Sequence, residues 1–564
     1  MIIHCAMQLI ERYPRIFLTL AAILFSIPGT GDLPLLDRDE PRFAQATIEM
    51  MERGEWVVPY FNNEYRFDKP PLTYWWMRLH YSLLGKSEIA ARLHSFFASL
   101  ITALVLYQIA ISSKFNRSKA ILSGMIWLGS LQVLIHGRVA VADMPLIASL
   151  TITLWALIKF LYRENELKPY SVWFYVIYIS MAVGFLAKGP LALLIPALST
   201  GLTFALSKKN KAHIKRIKHL LKESVLGLPL MLLIISLWGI PALLETNGAY
   251  FDIGVKKHVI ERGLSAFNER LYIPGIYYIF VILIFLSPWI SGLIPSLKKA
   301  WLERDSTPHN TLLLSWIIAT FLVFSFYKTQ LPHYILPAYP AIALLIAQIK
   351  RPTLSKLFQV SVWIQRLVFT VLIISLSILY NELVKTQLSP SLVKSALYLI
   401  GFLSAVLIAS ECFKRNKIKS CFIFIALASL VLVPFGKNLK DSHITVQTSQ
   451  LIRDSPKEFE TYIASGFNEP SLVWYLGKQC TFVEPGYFDA NELSEKNCLI
   501  ILSRKWKLNE ATIKQWYSEK SIRASYDYKA GIQSEFSANN IEWVEGFNLA
   551  NSTWIELAVV TSKN

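Results

Sequence analysis

The chain has 564 residues, of which 53% are hydrophobic and only 17% are Asp, Glu, Lys or Arg, and its mean hydropathy is +0.40. A soluble chain would carry about a quarter charged residues. The formal net charge of +18 would suggest nucleic acid as a partner, but the basic residues lie in short segments between apolar blocks. Membrane proteins that obey the positive-inside rule show this placement. The composition therefore argues against a soluble domain and against nucleic-acid binding.

The apolar residues form blocks of about 16 to 24 residues, the length that a helix needs to cross a bilayer. They predict a polytopic α-helical membrane protein with about thirteen transmembrane helices. Arg12 and Arg15 precede the first block, and no small-x-small cleavage site follows it, which predicts an uncleaved first span. The predicted spans are centred near Ala22, Ser99, Trp127, Thr151, Ile177, Pro196, Leu232, Ile282, Ile318, Ala341, Val371, Ser404 and Ala426.

Alternate predicted loops are basic, as the positive-inside rule requires for cytoplasmic loops. The loops after the second, sixth, eighth, tenth and twelfth spans follow the rule, whereas Glu164 and Glu166 weaken it after the fourth. The pattern predicts a cytoplasmic N-terminus, and an odd number of spans then places the C-terminus outside. The most basic of these loops contains Lys208, Lys209, Lys211, Lys215, Arg216, Lys218 and Lys222.

The segment 437–564 lacks the membrane pattern and has charged residues throughout. Its apolar runs Cys498–Leu502 and Trp554–Val560 are typical of strands. The sequence therefore predicts a transmembrane domain at 1–436 and a soluble extracytoplasmic α/β domain at 437–564. Because that domain would lie in an oxidising compartment, Cys480 and Cys498 are candidates for a disulfide.

Ionisable and aromatic residues collect at the outer ends of the predicted spans. Two outer loops are long, at about 28–85 and 245–273, and the first contains the stretches DRDEPRF and YRFDKPPLTYWW. Charged groups at or within a span are costly and by default mark a site or a pathway. The other ionisable and aromatic residues at the predicted outer face are His136, Arg138, Asp143, Lys188, Lys256, Lys257, His258, Glu261, Arg262, Tyr327, Lys328, His333 and Tyr334.

These residue types fit a site for an anionic lipid. The cations Lys69, Lys188, Arg138, Arg262 and His258 could surround a phosphate, because charge-assisted hydrogen bonds are strong in a partly dry site. The carboxylates could bind a sugar, hold a metal or act as a base. They are Asp39, Glu40, Asp68 and Asp143.

Some of these residues have a structural explanation. Trp75 and Trp76 suit an aromatic belt at the membrane interface, and Lys328 could extend its ammonium group to that interface. Asp68, His258 and His333 could together bind zinc or magnesium, although no spacing rule supports that set. Asp39 and Lys69 are the hardest to explain structurally, because each lies in a motif with a nearby proline.

Six motifs resemble those of the bacterial protein-mannosyltransferase-like membrane glycosyltransferases of the GT-C superfamily. Within this family they are most similar to the aminoarabinose transferases of lipid A. The first three match the family's Asp-Glu, GDWVVP-like and F-E/D-K-P patterns, with Asp68 in place of the more common Glu. The motifs are Asp39–Arg42, Gly54–Pro59, Phe67–Pro70, Arg138–Leu146, Leu186–Pro196 and Lys328–Ala341.

The resemblance implies a GT-C type fold with thirteen transmembrane helices in the bacterial inner membrane and an active site facing the periplasm. It implies an inverting transferase that moves a sugar from undecaprenyl phosphate to lipid A. Asp39 would be the essential acid, while Lys69, Arg262 and His258 would bind the lipid phosphate. Arg262 lies four residues after His258, where the family pattern has three.

Further expectations complete this interpretation. Glu40 and Asp143 are candidate catalytic carboxylates, and Lys188, Arg138 and Tyr334 are candidate donor ligands. The sugar would be 4-amino-4-deoxy-L-arabinose or a hexosamine, and the protein would be a monomer. A protein or another surface glycan remains open as the acceptor, and a lipid or sugar flippase is the rival from another class.

Overall fold

The computed structural model of the chain describes residues 8–36, 38–162, 170–207, 211–261, 273, 275–349, 356–385, 390–415, 417–484, 498–505, 527–536 and 539–561. The chain divides into two compact units. The first unit comprises Met1–Gly31, Gly54–Pro59 and Arg66–Phe435, and the second comprises Asp32–Arg53, Tyr60–Tyr65 and Gly436–Asn564.

The first unit is helical in its described parts. A π-helix runs from Tyr250 to Glu261, and 3₁₀ helices cover Ile290–Gly292 and Pro332–Ala338. The α-helices are Pro14–Ser26, Leu72–Leu84, Glu88–Ser112, Arg117–Leu128, Leu131–His136, Asp143–Leu161, Val172–Lys188, Leu191–Leu206, Lys211–Glu245, Tyr277–Phe285, Leu293–Leu302, Pro308–Phe326, Tyr339–Ala347, Lys356–Lys385 and Pro390–Arg415, with Lys417–Asp441 running into the second unit.

Each of the predicted span centres falls inside one of these helices. Among the described residues, five helices are long and apolar enough to cross a membrane, or six if the pair Tyr277–Phe285 and Ile290–Leu302, bent by 120°, is one span. Shorter apolar helices occupy several other predicted spans, including Val172–Lys188 and Leu191–Leu206. The polytopic helical class is therefore confirmed, while the count of about thirteen spans stays a prediction.

One continuous apolar core joins the helices of the first unit, with Trp127, Trp289 and Trp316 fully buried in it. In contrast, the helices Ile214–Glu245 and Gln359–Asn381 bury only 22% and 17% of their most apolar stretches, and large side chains such as Leu237 and Trp363 are exposed. Apolar surface of this extent is unusual on a soluble monomer and marks contact with a partner or a membrane. These outer helices therefore fit contact with lipid.

The segment predicted as the first outer loop contains the helices Asp39–Glu52 and Leu72–Leu84 and a hairpin of β1 (Tyr60–Phe61) and β2 (Glu64–Tyr65). Its place outside the membrane stays a prediction. Asp39, Glu40 and Pro41 occupy the first turn of its first helix. Acidic residues there complement the helix dipole, and proline lacks the N–H that this turn leaves unused. The charges that seemed to mark a loop thus begin a helix.

The second unit contains a five-stranded sheet of order β4-β3-β5-β7-β6 among its described strands. The strands are β3 (Thr461–Ser465), β4 (Thr481–Val483), β5 (Cys498–Ser503), β6 (Asn540–Asn548) and β7 (Thr553–Thr561). β3 lies parallel to β4 and β5, while β7 lies antiparallel to β5 and β6. Helices Asp39–Glu52, Ile444–Asp454, Pro470–Leu476 and Tyr528–Glu535 complete the unit. Both β-like runs seen in the sequence are strands.

Strand β5 is buried on both faces. Leu499 and Ile501 pack in one apolar cluster, whereas Cys498, Ile500 and Leu502 pack in another. Alternate side chains of a strand point to opposite faces, so the sheet has a core on each side. Cys480 belongs to the first cluster, and both Cys480 and Cys498 are free thiols. The candidate disulfide between them, which the sequence left open, is not formed in the structure, and the two thiols belong to cores on different faces.

Candidate active site

A buried ion pair joins two helices of the first unit. Lys188, the last residue of the helix Val172–Lys188, donates from Nζ to Oδ1 of Asp143 at 2.6 Å. Asp143 begins the helix Asp143–Leu161, and both side chains are nearly buried. The carboxylate is favoured at a helix N-terminus and the ammonium at a helix C-terminus. The structure therefore brings together two residues that the sequence placed in separate motifs.

Aromatic and imidazole rings surround this pair. Nε2 of His333 lies 3.8 Å from Oδ1 of Asp143, and the His136 and His333 ring centroids are 5.1 Å apart. The Lys188 ammonium lies 5.4 Å from the centroid of the Tyr334 ring, within the range of a cation–π contact. We call Asp143, Lys188, His136, His333 and Tyr334 the Asp143 cluster.

A second group of charges is formed by the FDKPP motif. Asp68 accepts from Arg66 Nη2 through Oδ2 and from Lys69 Nζ through Oδ1, each at 2.9 Å. Arg66 Nε also donates to the Tyr74 hydroxyl at 3.0 Å. We call Arg66, Asp68, Lys69, Tyr74 and Tyr250 the Asp68 cluster. The Lys69 ammonium is close enough to act on the His333 imidazole. The Asp68 cluster and the Asp143 cluster therefore interact electrostatically.

Tyr250 fixes the backbone of the Asp68 cluster. Its hydroxyl donates to the carbonyl oxygen of Lys69 at 2.6 Å, and its ring packs edge-on against Phe67. Burial raises the pKa of the Tyr250 hydroxyl well above its usual value, and the nearby Tyr74 and Asp68 act in the same direction. The hydroxyl therefore remains a donor at any physiological pH and holds Lys69 in place.

Arg138 has a local partner. Its Nη1 donates to the carbonyl oxygen of Leu134 at 3.0 Å, at the end of the helix Leu131–His136. The side chain is buried, and its Nε has no hydrogen-bond partner among the described residues. A cation at a helix C-terminus is stabilised by the exposed carbonyls. Its predicted role as a donor ligand stays a prediction, and a structural role accounts for one of its nitrogens.

Asp39 and Glu40 belong to the second unit, where they have opposite environments. Asp39 is exposed, whereas Glu40 is fully buried and accepts the Leu36 N–H through Oε2 at 2.7 Å. This hydrogen bond ties the Glu40 carboxylate to the segment that precedes the helix, and a carboxylate in the first turn also complements the helix dipole. Asp39 is therefore the better placed of the two for chemistry.

Two predicted ligands lie outside the described residues, namely Arg262 and the side chain of His258. Of the proposed metal ligands, Asp68 has both oxygens engaged by Arg66 and Lys69. The described residues contain no group of three His, Cys, Asp or Glu side chains that could hold a metal ion. The described residues give no support to the metal set.

Sequence reasoning missed Arg66 and Tyr250. Arg66 stands two residues before Asp68, and its place beside an acidic motif was the available signal. Tyr250 contacts Lys69 across 181 residues, and no local pattern could have indicated that contact.

Comparison with known proteins agrees with the motifs. Residues 68–238 match the family described as dolichyl-phosphate-mannose-protein mannosyltransferase. The undecaprenyl phosphate-alpha-4-amino-4-deoxy-L-arabinose arabinosyl transferase of Pectobacterium carotovorum subsp. carotovorum is 30% identical over 339 residues, which is 60% of this chain and 59% of the relative. The protein of the same name from Yersinia pestis is 30% identical over 342 residues, 60% of each chain. This chain thus spans about three fifths of the curated relatives that it matches.

Solved structures match over nearly the whole chain. The crystal structure of ArnT from Cupriavidus metallidurans bound to undecaprenyl phosphate superposes with a TM-score of 0.72, 18% identity and coverage of 96% of this chain and 97% of that one. The apo structure of that protein gives a TM-score of 0.65 and 17% identity, with 98% of each chain covered. At this identity the likeness establishes the fold. Together the matches confirm the resemblance to the GT-C membrane glycosyltransferases.

Proposed function

We propose that this chain is an inverting glycosyltransferase that moves a sugar from undecaprenyl phosphate to a phosphate of lipid A at the periplasmic face of the inner membrane. The sugar is an amino sugar, 4-amino-4-deoxy-L-arabinose or a hexosamine. The observation that carries the proposal is the 30% identity over 339 residues to a transferase named for that donor. The two charge clusters of the first unit supply groups suited to such a donor.

Lys69 is the first candidate ligand for the donor phosphate. An ammonium group has three N–H donors, and Lys69 directs two of them to Asp68, at the backbone oxygen and at Oδ1. The third can meet a phosphate oxygen. Because Tyr250 and Asp68 hold the residue, little reorganisation is needed when charge develops on the leaving group.

Lys188 is the second candidate, and Asp143 positions it. A carboxylate at 2.6 Å from an ammonium is a poor base, since protonation would break the ion pair. We therefore assign Asp143 to orienting Lys188 and not to proton transfer. Tyr334, which lies against the same ammonium, completes the wall of the donor site. Arg262 and His258 remain predicted ligands of the same phosphate.

In the reaction, an acceptor oxygen attacks the anomeric carbon from the face opposite the leaving group. The bond from the anomeric carbon to the phosphate oxygen breaks, and its electron pair leaves with undecaprenyl phosphate. Lys69 and Lys188 stabilise that charge. A lipid A phosphate is already anionic and needs no base, so Asp39 orients the acceptor or stabilises positive charge on the sugar. With a hydroxyl acceptor, Asp39 would take the proton.

The test is transfer by the purified protein in detergent, with undecaprenyl phosphate-aminoarabinose and lipid A and without any sealed compartment. Mass spectrometry should show lipid A gaining one aminopentose. Asp39→Asn should abolish the gain, whereas Asp32→Asn, the same change at an exposed aspartate of the same unit, should not.

Three results would count against the proposal or one of its parts. Normal transfer by Asp39→Asn would exclude that residue from the reaction. The absence of transfer to lipid A, together with unchanged lipid A in cells that lack the gene, would redirect the search to protein or other glycan acceptors. Movement of the donor across sealed vesicles without any transfer would favour the flippase.

A further inference from the structure

A cavity of about 940 Å³ opens within the second unit, where strands β3 and β5 end. Gly466 and Arg504 follow these strands directly and line it, and Asn551 of the β6–β7 turn lines another side. β3 and β5 are parallel neighbours. Ligands of α/β sheets commonly bind beyond the carboxyl ends of such strands, and the volume is ample for a sugar.

The charge of the lining favours an anion. Four basic side chains line the cavity, with two carboxylates. Two of the cations come from the first helix of the unit and the residue before it, and two follow β5. They are Arg38, Arg42, Arg504 and Lys505.

Both carboxylates already have partners. Glu469 accepts from Arg38 at 3.3 Å and from Asn548 at 3.3 Å. Glu556 accepts from Lys529 at 2.6 Å and from the Tyr528 hydroxyl. Arg38 therefore balances Glu469, and Lys529 balances Glu556 together with the nearby Arg504. The lining as a whole carries four positive charges against two negative ones, which favours an anionic ligand.

The neutral lining suits a carbohydrate. Asn468 offers an amide group, Thr553 a hydroxyl and Trp554 an aromatic face. The Asn548 amide and the Ser503 hydroxyl also line the cavity but are already hydrogen-bonded within the unit. Amides and hydroxyls can both donate to and accept from sugar hydroxyls. Arginine guanidinium groups bind phosphate oxygens in pairs of parallel hydrogen bonds. Phosphate and sugar recognition therefore coexist in one cavity.

We propose that this cavity binds a phosphorylated sugar, with the phosphate held by Arg504 and Lys505 and the sugar ring against Trp554 and Asn468. This inference deepens the proposed function and rests on it in one respect: the phosphorylated sugar is taken to be the headgroup of the acceptor. The second unit then selects the acceptor, while the first unit binds the donor.

Binding is measured by isothermal titration calorimetry on the full-length protein in detergent, with glucosamine 1-phosphate as the probe. The wild-type protein should bind it more tightly than inorganic phosphate, and glucosamine should not bind. Arg504→Gln and Lys505→Gln should each weaken binding about tenfold, because each removes a charge-assisted hydrogen bond. Arg453→Gln and Lys478→Gln, which remove the same charge from exposed positions of the same unit outside the cavity lining, should leave binding unchanged.

A second arm separates the lipid from the free sugar phosphate. Lipid A in mixed micelles should displace glucosamine 1-phosphate, whereas lipid A stripped of its phosphates should not. Displacement would assign the cavity to the lipid headgroup. A probe that binds but is not displaced would assign it to a soluble phosphorylated sugar and overturn the acceptor assignment.

Transfer kinetics complete the test. Arg504→Gln should raise the KM for lipid A and leave the KM for the donor unchanged. Charge-dependent probe binding without any transfer would leave the cavity assignment intact while the proposed function fails. The inference would be overturned, and the proposed function would stand, if transfer is normal but the probe does not bind. The same conclusion follows if transfer is normal and all four variants bind the probe equally.

Discussion

In the first unit the Asp143 carboxylate meets the Lys188 ammonium at 2.6 Å, and Asp68 lies between two cations at 2.9 Å. In the second unit Arg504 and Lys505 line a cavity in which four basic side chains outnumber two carboxylates. Buried charges are tolerated when paired, and removal of one partner is costly. Exposed cations cost little and are screened by salt. The first arrangement suits a rigid catalytic site, and the second suits a ligand that brings its own charge.

The largest expected effect comes from breaking the buried pair. Asp143→Ala leaves the Lys188 ammonium nearly buried without its carboxylate, and we expect a loss of about 3–5 kcal/mol in the free energy of unfolding. Denaturant titration of the purified protein measures it. Asp143→Ala combined with Lys188→Met should recover most of the loss.

The matched control for this variant is Asp305→Ala. Asp305 is 60% exposed and lies 3.9 Å from Arg304, so its loss should change the free energy of unfolding by less than about 0.5 kcal/mol. Equal values for Asp143→Ala and Asp305→Ala would contradict the contrast between buried and exposed charges.

The next effect is on catalysis. Lys69→Gln keeps a polar side chain, one atom shorter, but removes the charge that we propose meets the leaving phosphate, and we expect kcat to fall about 10²–10³-fold. Lys86→Gln, at an exposed lysine of the same unit, serves as the control in the same transfer assay. If both variants turn over at the wild-type rate, Lys69 is not a donor ligand.

A smaller effect tests the backbone that frames the cavity. A Cβ at Gly546 of β6 would lie 2.7 Å from the Ile444 Cα, so Gly546→Ala should cost about 1–3 kcal/mol through a forced backbone shift. Asn548, two residues further along β6, lines the cavity. Because the backbone shift would move it, Gly546→Ala should also weaken binding of glucosamine 1-phosphate, although it removes no positive charge. A Cβ at Gly531 meets nothing within 4 Å, so Gly531→Ala should cost nothing. Equal melting temperatures for the two variants would refute the close packing of β6.

The last prediction concerns Cys480, whose titration has the smallest effect on the free energy of unfolding near neutral pH. Burial raises the pKa of its thiol from 9.0 to about 12. The folded protein thus favours the protonated thiol, and this contribution is complete below pH 9 and is lost as the pH rises toward 12. At pH 8 the native thiol should react with iodoacetamide about a thousandfold more slowly than after denaturation. Peptide mass spectrometry gives both rates, and similar rates would mean that the thiol is accessible.

The sequence predicts the helices well because a membrane fixes their length and composition. All the predicted span centres fall in helices, and the run Cys498–Leu502 is a strand. The motifs also name Asp143, Lys188, Asp68 and Lys69. The motifs do not show which of these residues contact each other, because Asp143 meets Lys188 across 45 residues and Tyr250 meets Lys69 across 181.

Neighbouring residues could not be told apart either. Asp39 and Glu40 share one motif, yet Asp39 is exposed whereas Glu40 is buried and accepts the Leu36 N–H. The cavity of the second unit also escaped prediction, because its cations come from two segments more than four hundred residues apart. Composition and motifs fix which groups exist, while the tertiary fold decides which of them face each other.

The sheet order of the second unit has one more consequence. Among the described strands, β6 stands at one end of the sheet, with nine residues. A strand of that length at an edge can template pairing with another chain, and natural proteins oppose this with charged side chains. Part of this edge is already covered, because the Phe547 N–H donates to the carbonyl oxygen of Ser442. Glu542 and Glu545 are exposed along the rest of β6, and they place negative charge where a second chain would have to pair. The strand thus carries its own protection against aggregation.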